Sequence, residues 1–134
     1  MIIRITPDKE RAKSIIKMVE ERESSIEILK KANFPTIVGE AYYEIVKELA
    51  TARLLLEGLK TVGEHAHKEL IEMMATYKEF DEWEIVFLDD LRVIRNKSDY
   101  EGKPFPADYI LHHKNTLKKI ISKLKKAIQS KLRG

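Results

Sequence analysis

Arg95 and Asn96 stand near the end of a helical-periodic apolar run, and Tyr100, Gly102, Pro104 and Pro106 follow close behind. A guanidinium there is a ready phosphate ligand, because its planar fork of donors matches two phosphate oxygens at once. Projected at about 100° per residue from Leu91, Arg95 falls near 40°, between Leu91 and Leu88 and inside the apolar sector. Trp83, Phe87 and Ile94 fall to the other side within roughly 80°. A charge in that sector needs a partner or a polar cleft. Two arrangements answer the need: a cleft that faces phosphate, or an ion pair with Glu40, Glu44 or Glu48 on another helix. Arg92 and Asp99 lie just outside the sector, and Arg92 joins Arg95 and Asn96 as a candidate phosphate or RNA ligand. Tyr100 can donate a hydrogen bond or stack on a base, and Gly102 can take φ > 0 to close the helix, with Tyr100 packed over the turn.

Other residue types are less suited to chemistry. His65 and His67 project about 200° apart on a helix and cannot share a metal. His67 groups with Leu70, Ile71 and Met74, and His113 with Ile110, Leu117 and Leu124, so both read as packed histidines, with His67 the one stand-in for a proton acceptor. Asp89 and Asp90 diverge by about 100°, and Asp89 reads as an exposed i,i+3 partner of Arg92. Metal-ligand spacing, a Gly-rich phosphate loop and a nucleophile elbow are all missing from the pattern. No metal or other cofactor is expected.

The elements that must position these residues are helical throughout. A first helix is expected after Thr6-Pro7, as cap and first-turn proline, ending at Asn33-Phe34-Pro35. In the second, from Thr36 or Val38 to Leu59, Val38, Ala41, Tyr42, Ile45, Leu49, Ala52 and Leu56 recur at three- and four-residue steps. A second row, Tyr43, Val46, Ala50 and Leu54, makes this helix either central or shared with another subunit. Further helices are expected over about 64–77, 81–96 and 107–132, with no strand of useful length. Short connections between long amphipathic helices imply one domain, residues 1–134, folded as an up-and-down bundle of four to five antiparallel helices.

Composition narrows the setting. The 134 residues suffice for one core, and the lack of cysteine excludes disulfides, thiolate zinc and a cysteine nucleophile. The opening segment is too short for a signal peptide and no apolar run reaches membrane length, so a cytoplasmic protein is expected. Residues 109–134 hold eight Lys or Arg and no acid, a local charge of +8, while the rest of the chain carries −5. This strip is a solvated helix face that suits its own dipole, a surface for RNA or an acidic partner, or, least in keeping with its lack of Trp and Phe, a membrane-surface helix.

The order of helices, the Ala41-Tyr-Tyr-Glu-Ile-Val-Lys-Glu-Leu-Ala50 and Glu64-His-Ala-His-Lys-Glu-Leu-Ile71 helix starts, and above all the Arg95-Asn96 pair resemble the HEPN superfamily. That resemblance implies a homodimer of helical bundles with its site where subunits meet. It also implies metal-independent RNase chemistry, often in a toxin paired with a small nucleotidyltransferase antitoxin. Arg95, Asn96 and Tyr100 are then the candidate catalytic residues. The family's arginine is followed after four to six residues by a histidine, and here that window reads Tyr100-Glu101-Gly102. An unperturbed tyrosine titrates near 10 and is a poor base at neutral pH. The departure weakens the case for cleavage more than the case for binding. Three functions stand: a nucleotide- or RNA-binding module with weak or lost RNase activity, an active endoribonuclease toxin, or a structural interaction protein. In related toxins a tyrosine near the motif is modified by the nucleotidyltransferase, which the resemblance extends faintly to Tyr100.

Overall fold

In the computed structural model, which describes all residues from Met1 to Gly134, the chain is all-helical apart from one short strand pair. The elements run β1 (Ile2–Arg4), α1 (Lys9–Lys31), α2 (Pro35–Leu56), β2 (Leu59–Thr61), α3 (Ala66–Met74), α4 (Glu82–Glu101) and α5 (Tyr109–Arg133). Partners ascend on one helix as they descend on the next for α1 with α2 (Arg22 to Glu48, Lys30 over Tyr42), α2 with α4 (Glu40 to Ser98, Glu44 to Arg95) and α4 with α5 (Glu84 to Lys123, Phe87 against His113). The four long helices therefore alternate in direction, as an up-and-down bundle requires. No helix is long and apolar enough to cross a membrane.

α2 is the centre. Its second row, Tyr43, Val46, Ala50 and Leu54, is buried within the single chain, as is its first row apart from the partly buried Ala41 and Leu56. Centrality alone accounts for the double row, and no second subunit is needed to cover it. α1 and α5 make the most extensive contacts with α2, and α3 and α4 close the remaining side. α5 runs parallel to α2, with Phe105, just before it, seated against Gly39 and Lys131 reaching Glu57 at the far end.

Several boundaries differ from expectation, each for a local reason. α1 is capped by Asp8, whose carboxylate accepts from the Arg11 amide at 3.0 Å, and not by Thr6. Its end is closed by Asn33 at φ 62°, a conformation asparagine tolerates. α2 stops at Leu56 because Gly58, at φ 74°, turns the chain into β2, so Leu59 belongs to a strand. Neither strand was expected: each has three residues, too few to show alternation. They pair antiparallel with Ile3 opposite Lys60. α4 continues through Asn96 to Glu101 and is capped by Gly102 at φ 65°. Trp83 was expected in the apolar sector but is 51% exposed, since α4 presents the 87–88–91 side to the core.

A Cβ at Gly39 would land on the Phe105 ring, which anchors the loop from α4 to α5. Gly39→Ala is therefore expected to cost about 1–3 kcal/mol, read from urea unfolding. A change below about 0.5 kcal/mol would show that Phe105 is not seated there.

Candidate functional site

Both ends of α4 are anchored to its neighbours. At the start, Asp81 and Glu84 form a reciprocal capping box: the Asp81 amide donates to Glu84 Oε1 at 2.8 Å, and the Asp81 carboxylate accepts from the Glu84 amide. Glu84 is wholly buried, a position a carboxylate tolerates only with a partner, and Lys123 Nζ from α5 donates to it at 2.6 Å. Toward the other end, Arg95 donates to Glu44 at 3.3 Å and pairs with Asp99 at 3.2 Å, and the Ser98 hydroxyl donates to Glu40 at 3.0 Å.

With α4 held in this way, Arg92, Asn96 and Tyr100 lie at i, i+4 and i+8 along one stripe, where successive helical turns bring side chains into line. They face the turn that precedes α3 and the first residues of that helix. Gly63, Glu64, His65, Ala66, His67 and Lys68 supply the opposite wall of a cleft of about 260 Å³. The strand pair and the 94° φ of Gly63 place this turn. The start of α3 has no side-chain cap, and the amides of His67 and Lys68 find no acceptor in the chain. Unsatisfied amides at a helix start carry partial positive charge and favour anions. Arg92 Nε donates to Asp89 at 2.9 Å, the i,i+3 pair expected from sequence, and its terminal nitrogens make no hydrogen bond within the protein. Tyr100 is 79% exposed and does not pack over the helix end. Its side chain borders the cleft and is largely open to solvent.

Arg95 stands behind this stripe. Its side chain is 17% exposed, held between Glu44 and Asp99, with its guanidinium carbon 5.6 Å from the Tyr43 ring centroid. Of the residues singled out in the sequence, the structure thus brings Arg92, Asn96 and Tyr100 together and sets Arg95 a step inward. Burial pushes the Tyr43 hydroxyl up to about 12, against the opposing pull of Arg95 and Arg92, so it stays protonated at neutral pH.

His67 is at the cleft rim and not in the core, although its ring meets Tyr43 edge-on at 6.4 Å. Its pKa is lowered, first by burial and then by the nearby cations Lys47 and Arg95. The imidazole is therefore neutral at pH 7 and able to accept a proton. Lys68 and the open amides of α3 escaped the sequence reading, which weighed His65 only as a metal ligand. The only signal for them was Gly63 directly before the Glu64–Lys68 run.

Compared with family models, curated proteins and solved structures, the chain matches none of them. The class that fold and site define is an all-helical bundle with a polar, partly cationic cleft between the start of α3 and the second half of α4.

Two measurements test this description. Because protonation of His67 is disfavoured in the folded state, its contribution to stability is present at neutral pH and lost as pH falls through the ordinary imidazole range. The NMR titration of the His67 ring should show a midpoint below that of a free imidazole; a midpoint at or above it would contradict the placement. In a double-mutant cycle, Arg95→Ala and Glu44→Ala should couple by about 1 kcal/mol. Additive effects would show that this ion pair contributes nothing.

Proposed function

We propose that the protein is a HEPN-like nucleotide- or RNA-binding module, and that the cleft between α3 and α4 receives a phosphate. The observation that carries this reading is that Arg92 and Asn96 on one wall face Lys68 and the open start of α3 on the other, with the exposed Tyr100 ring beside them. Arg92 offers its free terminal nitrogens to phosphate oxygens, Asn96 adds a donor, and Tyr100 stacks on a base. Arg95 is held by Glu44 and Asp99, which offset its charge, so it positions α4 and reaches an anion directly only by leaving both carboxylates. The remaining surface of α5 can extend the attraction along a strand of RNA. Lys123, Lys125 and Lys131 are committed to Glu84, Glu23 and Glu57, which leaves Lys114, Lys118, Lys119 and Lys126 without carboxylate partners. On the same reading the module works in the cytoplasm beside a small nucleotidyltransferase, to which the accessible Tyr100 hydroxyl is open.

RNase activity is weak or lost in this proposal, because Tyr100-Glu101-Gly102 stands where the family it resembles has its histidine. A second reading, a metal-independent endoribonuclease, is favoured by one observation: His67 borders the same cleft and is neutral at pH 7. There it can take the proton of an attacking 2′-hydroxyl.

Titration of labelled single-stranded RNA and of nucleotides at two salt concentrations tests binding, since phosphate contacts must weaken as salt rises. Arg92→Ala should reduce affinity and the salt slope. Tyr100→Ala should cost about 1–3 kcal/mol of stacking. Binding that ignores both substitutions, or no binding at all, removes the proposal. Incubation of RNA with the protein in EDTA, beside His67→Gln and Arg95→Ala, separates the two readings: His67-dependent cleavage supports the enzyme, and none leaves the binding module.

A further inference from the structure

A groove of about 440 Å³ runs between α1 and α5, apart from the α3–α4 cleft. It exists because α1 and α5 each pack on α2 and touch one another far less. Glu23 and Lys125 form the one ion pair between its walls, at 2.6 Å. A volume of this size falls in the range of small-molecule sites. On the floor, beside Ile26 and Ile121, lies Tyr42 of α2. Tyr42 is 6% exposed, yet its hydroxyl makes no hydrogen bond within the protein. The oxygen is not sealed off, because Tyr42 lines the groove and what surface it retains opens there. A hydroxyl so placed gains by bonding to whatever enters.

The sign of the occupant follows from the walls. Both acids there are engaged, Glu23 by Lys125 and Glu27 by Lys30 at 3.8 Å. On the α5 wall, Lys118, Ser122 and Lys126 follow at four-residue steps, so successive turns bring them into line. Each lysine stands about 6 Å along the axis from Ser122. A four-carbon stem bridges that span, so both ammonium groups can meet one anion beside the serine. Neither lysine has a carboxylate partner, and Gln129 adds an amide to the same wall. A phosphate monoester carries about two negative charges at neutral pH on three acceptor oxygens, which matches this pair better than the single charge of a carboxylate.

The remainder of the ligand must suit walls of Lys, Glu, Ser and Gln, which hydrogen-bond to hydroxyls. A nucleobase has nothing to stack on, since the one ring lining the groove is buried, with the Lys30 ammonium 5.5 Å from its centroid. We infer that the α1–α5 groove binds a small phosphate monoester of a polyol, with its phosphate held by Lys118, Lys126 and the Tyr42 hydroxyl. This site does not depend on what the α3–α4 cleft receives.

Amide chemical shifts of the whole chain test it, followed as inorganic phosphate, glycerol 3-phosphate or sodium chloride of equal ionic strength is added. Both phosphates should give saturable shifts centred on residues 118–129, and sodium chloride none. Glycerol 3-phosphate should bind several-fold more tightly than inorganic phosphate. Tyr42→Phe, which keeps the ring, should weaken it about fivefold. Lys118→Gln combined with Lys126→Gln should weaken it at least tenfold, with helical content unchanged. Shifts that match those of sodium chloride, shifts confined to Arg92 and the start of α3, or binding indifferent to Tyr42→Phe overturn the inference. Equal binding of inorganic phosphate, or tighter binding of adenosine monophosphate in this groove, overturns the polyol ester as its class. RNA enters none of these readouts, so the groove and the α3–α4 cleft fail separately.

Discussion

The constraint on which the rest of the structure depends is that α2 is packed by helices on nearly every side, so its charged residues must find partners. A charge surrounded by apolar packing is tolerated only when paired. Glu48 is met by Arg22 of α1, Glu44 by Arg95 and Glu40 by Ser98 of α4, and Arg53 by Glu79 and Glu57 around the Tyr77 ring. These pairs add little stability one by one. Their effect is on register, since sliding α1 or α4 along α2 would separate several partners together and leave charges half-buried. Apolar packing holds the helices in contact, and the polar pairs determine where along one another they stop.

The cleft is a by-product of that register. Arg95 and Ser98 draw the second half of α4 onto α2, so the adjacent stripe of Arg92, Asn96 and Tyr100 is turned toward the start of α3. The strand pair carries out a similar task on the opposite wall, because it ties the chain between α2 and α3 to β1 and aims the Gly63 turn. Each wall is one short segment, and the cleft exists only because the fold brings the two face to face. The charge balance also changes across the bundle: α5 pairs three lysines with carboxylates of α1, of α4 and of Glu57 just after α2, and leaves Lys118, Lys119 and Lys126 exposed.

Much of this was legible from residue spacing. The three- and four-residue steps in α2, the need of Arg95 for either a partner or a polar cleft, and the left-handed close at Gly102 all follow from single-helix geometry. The strands were not legible, because three residues cannot establish a period and their pairing joins segments more than fifty residues apart. Nor was the division of labour between Arg92 and Arg95. The projection puts Arg95 inside the apolar sector and Arg92 just outside it, but only the packing of α2 and α3 against α4 gives Arg95 an ion pair and Arg92 a cleft. Trp83 failed for the same reason: hydrophobicity marks a residue that gains by burial, without saying that anything lies over it.

Taken alone, then, the residue order determined an all-helical chain, a second helix apolar on more than one side and a group of phosphate-compatible side chains near residue 95. Those properties depend on backbone periodicity within one segment, which a sequence displays directly. Tertiary structure decided which guanidinium stays accessible, that the α3 turn faces it, and that one flank of α4 remains bare. Such features depend on which element covers which. That is set by the sum of many weak contacts between distant segments, and no local pattern contains it.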